Sequence, residues 1–200
     1  PIWLYFTLRN VTVDQWEGNH GKITERCIGV DVVLDGGIVT LEGSAFSKKM
    51  LSRGNGAFSL VSFGGKSNIT ISNCTFKDTS KDKSRGKIVY IVSGNGNAGM
   101  VTISNSFIEN RGNRKVALFI SPRYHIKLFN VTFNSLKYGL QTVSSPPKKG
   151  SFPIDILIDK CSFIDNTHDA MFTLLGPTSV QLTIKNTLFS TRNETVKLDQ

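Results

Sequence analysis

The chain reads as an all-β parallel solenoid, a β-helix. Three observations predict it: one eight-residue phrase recurs along the whole length, its first half alternates apolar and polar, and no helical periodicity is sustained anywhere. The clearest copy is ITISNCTF, Ile69–Phe76. Relatives are FTLRNVTV from Phe6, VTLEGSAF from Val39, VTISNSF from Val101, IKLFNVTF from Ile126, ILIDKCSF from Ile156 and LTIKNTLF from Leu182. Aligned on their last apolar residues (Val13, Phe46, Phe76, Phe107, Phe133, Phe163, Phe189), they are spaced by 33, 30, 31, 26, 30 and 26 residues. A repeat of that length with short strands stacks coil on coil, about 4.8 Å apart. The seven copies imply about seven coils.

Each element of the coil follows from the phrase. In Ile69-Thr70-Ile71-Ser72 the alternation marks a half-buried strand with the isoleucines inward. Asn73 then turns the chain. A left-handed residue makes such a bend while both flanking strands keep register, and Asn and Gly tolerate that conformation best. The corner positions are Asn10, Gly43, Asn73, Asn105, Asn130, Lys160 and Asn186, of which Lys160 alone departs from the pattern. Stacked amides there are expected to form a hydrogen-bonded ladder. A second short strand follows, with Cys74 and Phe76 inward. A polar loop of variable length comes next, and length variation there costs little closure entropy. A third apolar strand closes the coil: AFSLVSF (57–63), KIVYIVSG (87–94), KVALFIS (115–121), YGLQTVS (138–144) and AMFTLLG (170–176). Two inward rows are predicted, the terminal apolar residues above and Ile71, Ile103, Leu128, Ile158 and Ile184.

Composition narrows function less than fold. The 200 residues carry 24 Lys+Arg against 15 Asp+Glu, a net charge of +9, which favours acidic partners such as anionic glycans. No nucleic-acid-binding module is recognisable, so specific nucleic-acid binding is not expected. No apolar run reaches the roughly 18 residues of a membrane span. The opening PIWLYFTL lacks an initiating Met and a basic start, and residues 1–200 are read as one β-helix domain excerpted from a longer chain. Three cysteines, Cys27, Cys74 and Cys161, form no CxxC pair, and no metal or cofactor is expected. Cys74 and Cys161 lie three coils apart, roughly 14 Å, beyond disulfide reach; both are predicted free and buried.

The repeat resembles right-handed parallel β-helix proteins of the pectate-lyase-like superfamily, in which an Asn ladder at the tight turn is a familiar feature. The wording ITISNCTFKDT, VTISNSFIEN and ILIDKCSFIDNT is most similar to large extracellular β-helix proteins of animals such as cnidarians. FIEN and FIDN (Phe107–Asn110, Phe163–Asn166) also echo the FxxN element of bacterial polymorphic outer-membrane adhesins. The resemblance implies a right-handed coil and an extracellular or cell-surface location.

Two functional classes follow. The first is a non-catalytic module for adhesion or glycan recognition, whose stacked lateral face suits repeated weak contacts with a polymer. Its best local candidate is the turn Arg123-Tyr124-His125, where a cation, a ring and an imidazole could stack on a sugar and hold a carboxylate or sulfate. The second is a polysaccharide lyase or glycoside hydrolase, implied by the same superfamily. Its candidate catalytic group is the loop Asp165, His168 and Asp169, joined by Arg192 and Lys137 from adjoining coils, because acid/base cleavage needs carboxylates beside a base. Five sequons occur, at Asn10, Asn68, Asn73, Asn130 and Asn193. Ladder asparagines are expected to face inward, which leaves Asn68 and Asn193 as the glycan acceptors.

Overall fold

Each copy of the phrase contains one residue outside the β region of backbone space. Asn10, Asn73, Asn105, Asn130, Lys160 and Asn186 have φ between 48° and 54°, and Gly43 has 59°. All seven are left-handed single residues, and each turns the chain between two short strands. The computed structural model describes residues 4–14, 30–48, 58–62, 66–78, 87–93, 99–110, 116–121, 123–135, 138–143, 154–166, 172–175, 180–191 and 197–198.

Strands before the corner stack in the order Tyr5–Arg9, Gly37–Glu42, Ser67–Ser72, Gly99–Asn110, Tyr124–Ser135, Ile154–Asp159 and Val180–Lys185, every neighbour parallel. The post-corner strands (Thr12–Asp14, Ala45–Lys48, Thr75–Asp78, Ser162–Asn166 and Leu188–Thr191) extend the same sheet, and Gly99–Asn110 and Tyr124–Ser135 run through the bend. The third strands form a second parallel stack: Val30–Leu34, Phe58–Ser62, Lys87–Ser93, Val116–Ile120, Tyr138–Val143, Phe172–Leu175 and Lys197–Leu198. Among the described residues both stacks are seven strands deep. The first and last members of the second stack escape the sequence reading: Val30–Leu34 is separated from the first copy's Val13 by 16 residues, and Lys197–Leu198 is only two residues long.

The core lies between the stacks. Val39, Leu41, Ile69, Ile71, Val101, Ile103, Ile126, Leu128, Ile156 and Ile158 face Val32, Ile88, Ile91, Leu118 and Leu140. Each such buried side chain is worth about 1.5–3 kcal/mol of transfer free energy. One row is corrected by the register. Phe76 pairs with Ile108, and Ile108 with Phe133, so Ile108 rather than Phe107 occupies the inward column. The copy VTISNSF is one residue short of the template, and Phe107 falls on the outward position occupied elsewhere by Thr75 and Thr132. Within the true column, Phe46 and Phe76 stack at 5.2 Å, Phe133 and Phe163 at 4.7 Å, and Phe163 and Phe189 at 5.3 Å, all within 11° of parallel.

The bend also leaves a carbonyl to satisfy, and at five of the seven corners the residue after the corner does so. Ser44 Oγ donates to Glu42 O (2.9 Å), Cys74 Sγ to Ser72 O (3.1 Å), Ser106 Oγ to Ser104 O (2.7 Å), Cys161 Sγ to Asp159 O (3.3 Å) and Thr187 Oγ1 to Lys185 O (2.7 Å). The second lone pair takes the corner N–H of the preceding coil: Asn10 N to Glu42 O, Gly43 N to Ser72 O, Asn73 N to Ser104 O and Lys160 N to Lys185 O, at 3.0–3.1 Å. The carbonyls of Glu42, Ser72, Ser104 and Lys185 are thereby paired twice. Ser, Thr and Cys recur after the corner for this reason.

Cys74 and Cys161 are free and buried. Burial pushes both thiols above their ordinary value, more than their backbone contacts lower them. The unfolded thiols therefore ionise first as pH rises. This part of the stability is complete below the unfolded value near 9.0 and is lost as pH climbs through the raised folded values. In urea titrations at successive pH, the wild type should lose stability above pH 9.0 more steeply than a Cys74→Ser/Cys161→Ser variant. Equal slopes would contradict the assignment.

Candidate functional site

Alternation along the first stack sends every second residue outward, and parallel register lines those residues up from coil to coil. The central outward row is Thr7, Thr40, Thr70, Thr102, Lys127, Leu157 and Thr183. On the corner side runs Arg9, Glu42, Ser72, Ser104, Phe129, Asp159 and Lys185. The adjoining row includes Ile38, Asn68, Met100 and His125. Neighbours in this grid lie about 4.8 Å apart between coils and about 6.6 Å apart along a strand. Threonine suits such a pleated, half-buried surface. Through the first four coils the described grid is mainly uncharged, and the ion pair of Arg9 Nε with Glu42 Oε2 at 2.9 Å is internal to it.

The character changes at the fifth coil. Lys127 and Phe129 replace the threonines and serines of the coils before, His125 follows Met100, and Phe129 is 41% exposed. The ammonium of Lys160, on the next corner, lies 5.2 Å from the Phe129 ring centroid. Lys127 and Lys185 are exposed on either side. Asp159 Oδ1 accepts Asn186 Nδ2 at 3.0 Å. His125 Nδ1 accepts the Asp155 N–H at 3.2 Å, and Oδ2 of Asp155 lies 3.2 Å from the same atom. Asp155 and Asp159 stand four residues apart on one strand, about 13 Å, which is wider than the carboxylate pairs of glycosidases. The patch therefore offers cations and an open ring, chemistry suited to stacking on a sugar and holding an anionic substituent.

The sequence candidates fare differently. In Arg123-Tyr124-His125, Arg123 and His125 are part-exposed, but Tyr124 is 0% exposed, so its ring is not a sugar platform. Tyr124 shares the inward frame of Ile126 and Leu128, and its partner in the preceding coil, Gly99, brings no side chain to that row. That frame was readable from the alternation. Asp165 lies on Ser162–Asn166 at a register shift: Ile164 pairs with Ser190 and Asn166 with Thr191, which makes Asp165 the bulged residue. His168, Asp169, Arg192, Lys137 and the sequon Asn193 lie outside the described residues.

The corner asparagines face solvent rather than the core. Asn130 Nδ2 donates to Asn105 Oδ1 at 2.9 Å, one rung of the ladder. What limits a glycan on Asn130 is therefore that contact, not burial. Asn68 is exposed on the outer grid.

Sequence reading missed another cluster, on the second stack. Lys87, Tyr90 and Phe119 meet there on the outside, with ring centroids 5.3 Å apart. Its signal was a break in alternation, in IVY and ALF. Among the described residues, no helix is long and apolar enough to cross a membrane.

A family model described as a right handed beta helix region matches residues 6–197. No curated protein and no solved structure matches the chain.

Proposed function

Because the chain belongs to the right-handed β-helix family, we propose that it is a non-catalytic extracellular module, a rigid rod that recognises anionic glycans or mediates adhesion through its outer faces. The observation that carries this reading is the change of the outer grid at the fifth coil, from threonine and serine to Lys127, open Phe129 and Lys160. Lys160 adds weight because it holds a left-handed corner, φ 53°, where other corners hold Asn or Gly. A lysine kept at a position of backbone strain points to a role for its side chain. The net charge of +9 favours the same partners. Asn68 and Asn193 are the sequons assigned to glycans in this setting.

Titration of the chain with polyuronate or sulfated polysaccharide, and with neutral polysaccharide, tests the reading. Binding should be confined to the anionic polymers and weaken with salt. A Lys127→Gln/Lys160→Gln variant should lose about tenfold in affinity, the worth of roughly 1.4 kcal/mol. Equal binding of neutral and anionic polymers, or none of either, would remove it.

A second reading, a polysaccharide lyase or glycoside hydrolase acting through Asp165, His168, Asp169 and Arg192, is favoured by the bulge at Asp165. Bulges re-aim side chains and are frequent beside active sites. Release of unsaturated or reducing ends from the same polymers would select it over the first.

A further inference from the structure

We infer that Lys87, Tyr90 and Phe119, on the outer face of the second stack, form a subsite for one anionic pyranose unit. The inference rests on the reading of the chain as an anionic-glycan binder, and it places a specific contact on a face other than the Lys127–Phe129 patch.

The local backbone explains the cluster. A regular strand would put Lys87 and Tyr90, three residues apart, on opposite sides. Here Ile88 and Val89 are both buried, as are Ala117 and Leu118 in the next coil. The register pairs Lys87 with Val116 and Val89 with Leu118, and alternation slips between them. Lys87 and Tyr90 thereby emerge on one side, and Tyr90 pairs with Phe119. The two rings lie 5.3 Å apart at 33°, a tilted pair forming one apolar platform across two coils. The Lys87 ammonium sits 4.6 Å from both ring centroids. Gln141 follows Phe119 in register on the next coil and is part-exposed.

This arrangement asks for an anion. Among the described residues no carboxylate pairs with Lys87, whose neighbours are the two rings. Burial pulls its ammonium below the ordinary lysine range. An incoming carboxylate or sulfate would supply the counter-charge that the rings supply only in part. The tilted rings present a shallow apolar surface to the C–H face of a pyranose, and Gln141 can bond its hydroxyls. A uronate or a sulfated sugar fits these three features together. A neutral sugar leaves the ammonium uncompensated.

Calorimetric titration of the whole chain with a hexuronate trisaccharide, and with its neutral hexose counterpart, provides the test. The wild type should bind the uronate and discriminate against the hexose. Lys87→Gln should weaken uronate binding about tenfold and abolish that discrimination, and Phe119→Leu should weaken both ligands. A folded Lys127→Gln/Lys160→Gln variant should still bind the trisaccharide. Raising the pH should reduce wild-type affinity earlier than for a site built on an ordinary surface lysine. If wild type ignores the trisaccharide, or if Lys87→Gln and Phe119→Leu both bind it as wild type does, the subsite is overturned. Polymer binding lost through Lys127 and Lys160 would leave the broader reading standing in either case.

Discussion

Replacing Ile108 by Ala should cost about 2–5 kcal/mol, and Phe133→Ala about 3–5 kcal/mol, while Phe107→Ser should cost less than about 1 kcal/mol. The first two side chains are fully buried in the inward column, between Phe76 and Phe163. Removing either leaves a void beside stacked rings that the parallel strands cannot close, because register fixes their spacing. Phe107 stands outside, with the Lys77 ammonium 5.8 Å from its ring centroid. In a solenoid each coil contacts only its neighbours, so the damage should be local and break cooperativity at the fourth and fifth coils. Urea unfolding of the three variants decides it. A larger loss for Phe107→Ser than for Ile108→Ala would show that the column is wrongly assigned.

Asn73→Val should lower stability by about 2 kcal/mol, because a β-branched residue at φ 54° is strained in a way Asn is not. The opposite change should follow at the one corner that breaks the pattern. Lys160→Asn relieves left-handed strain of about 1–2 kcal/mol but gives up the contact with Phe129, leaving a net gain of about 0.5–1 kcal/mol. Thermal melts of both variants measure the pair. If Asn73→Val is neutral, the corner is not held left-handed. If Lys160→Asn is stabilising and also weakens polymer binding, strain at that corner is retained for the lysine head group.

Much of the fold was legible because a solenoid repeats its instructions. The phrase fixes an inward pair, a corner and a second inward pair, and seven copies let one irregular member be recognised against the others. It misled where a copy was short: VTISNSF ends on Phe107 only if the missing residue is ignored, and Ile108 was the inward choice once Asn105 was set as the corner. The polar role of the Ser, Thr and Cys after the corners was not legible, because their hydrogen bonds to the carbonyl two residues back exist only once the bend is made. The functional surface was harder to see. Tyr124 is an aromatic in a basic turn, and its burial follows from the frame of the strand rather than from the turn. Lys87 and Tyr90 come from one coil and Phe119 from the next; the runs IVY and ALF mark the slip in alternation, but the pairing of Tyr90 with Phe119 exists only once the coils stack.

The central claim is that recognition resides on the outer faces of the stacked coils. Backbone and methyl NMR of the whole chain, titrated with a hexuronate oligomer, tests it most directly. The account predicts shifts at Thr102, Lys127, Phe129 and Lys160, and at Lys87, Tyr90 and Phe119, with the inward methyls of Val39, Leu41 and Ile69 unmoved. Shifts confined to residues 167–171 and 192–196, or their absence everywhere at saturating oligomer, would contradict it.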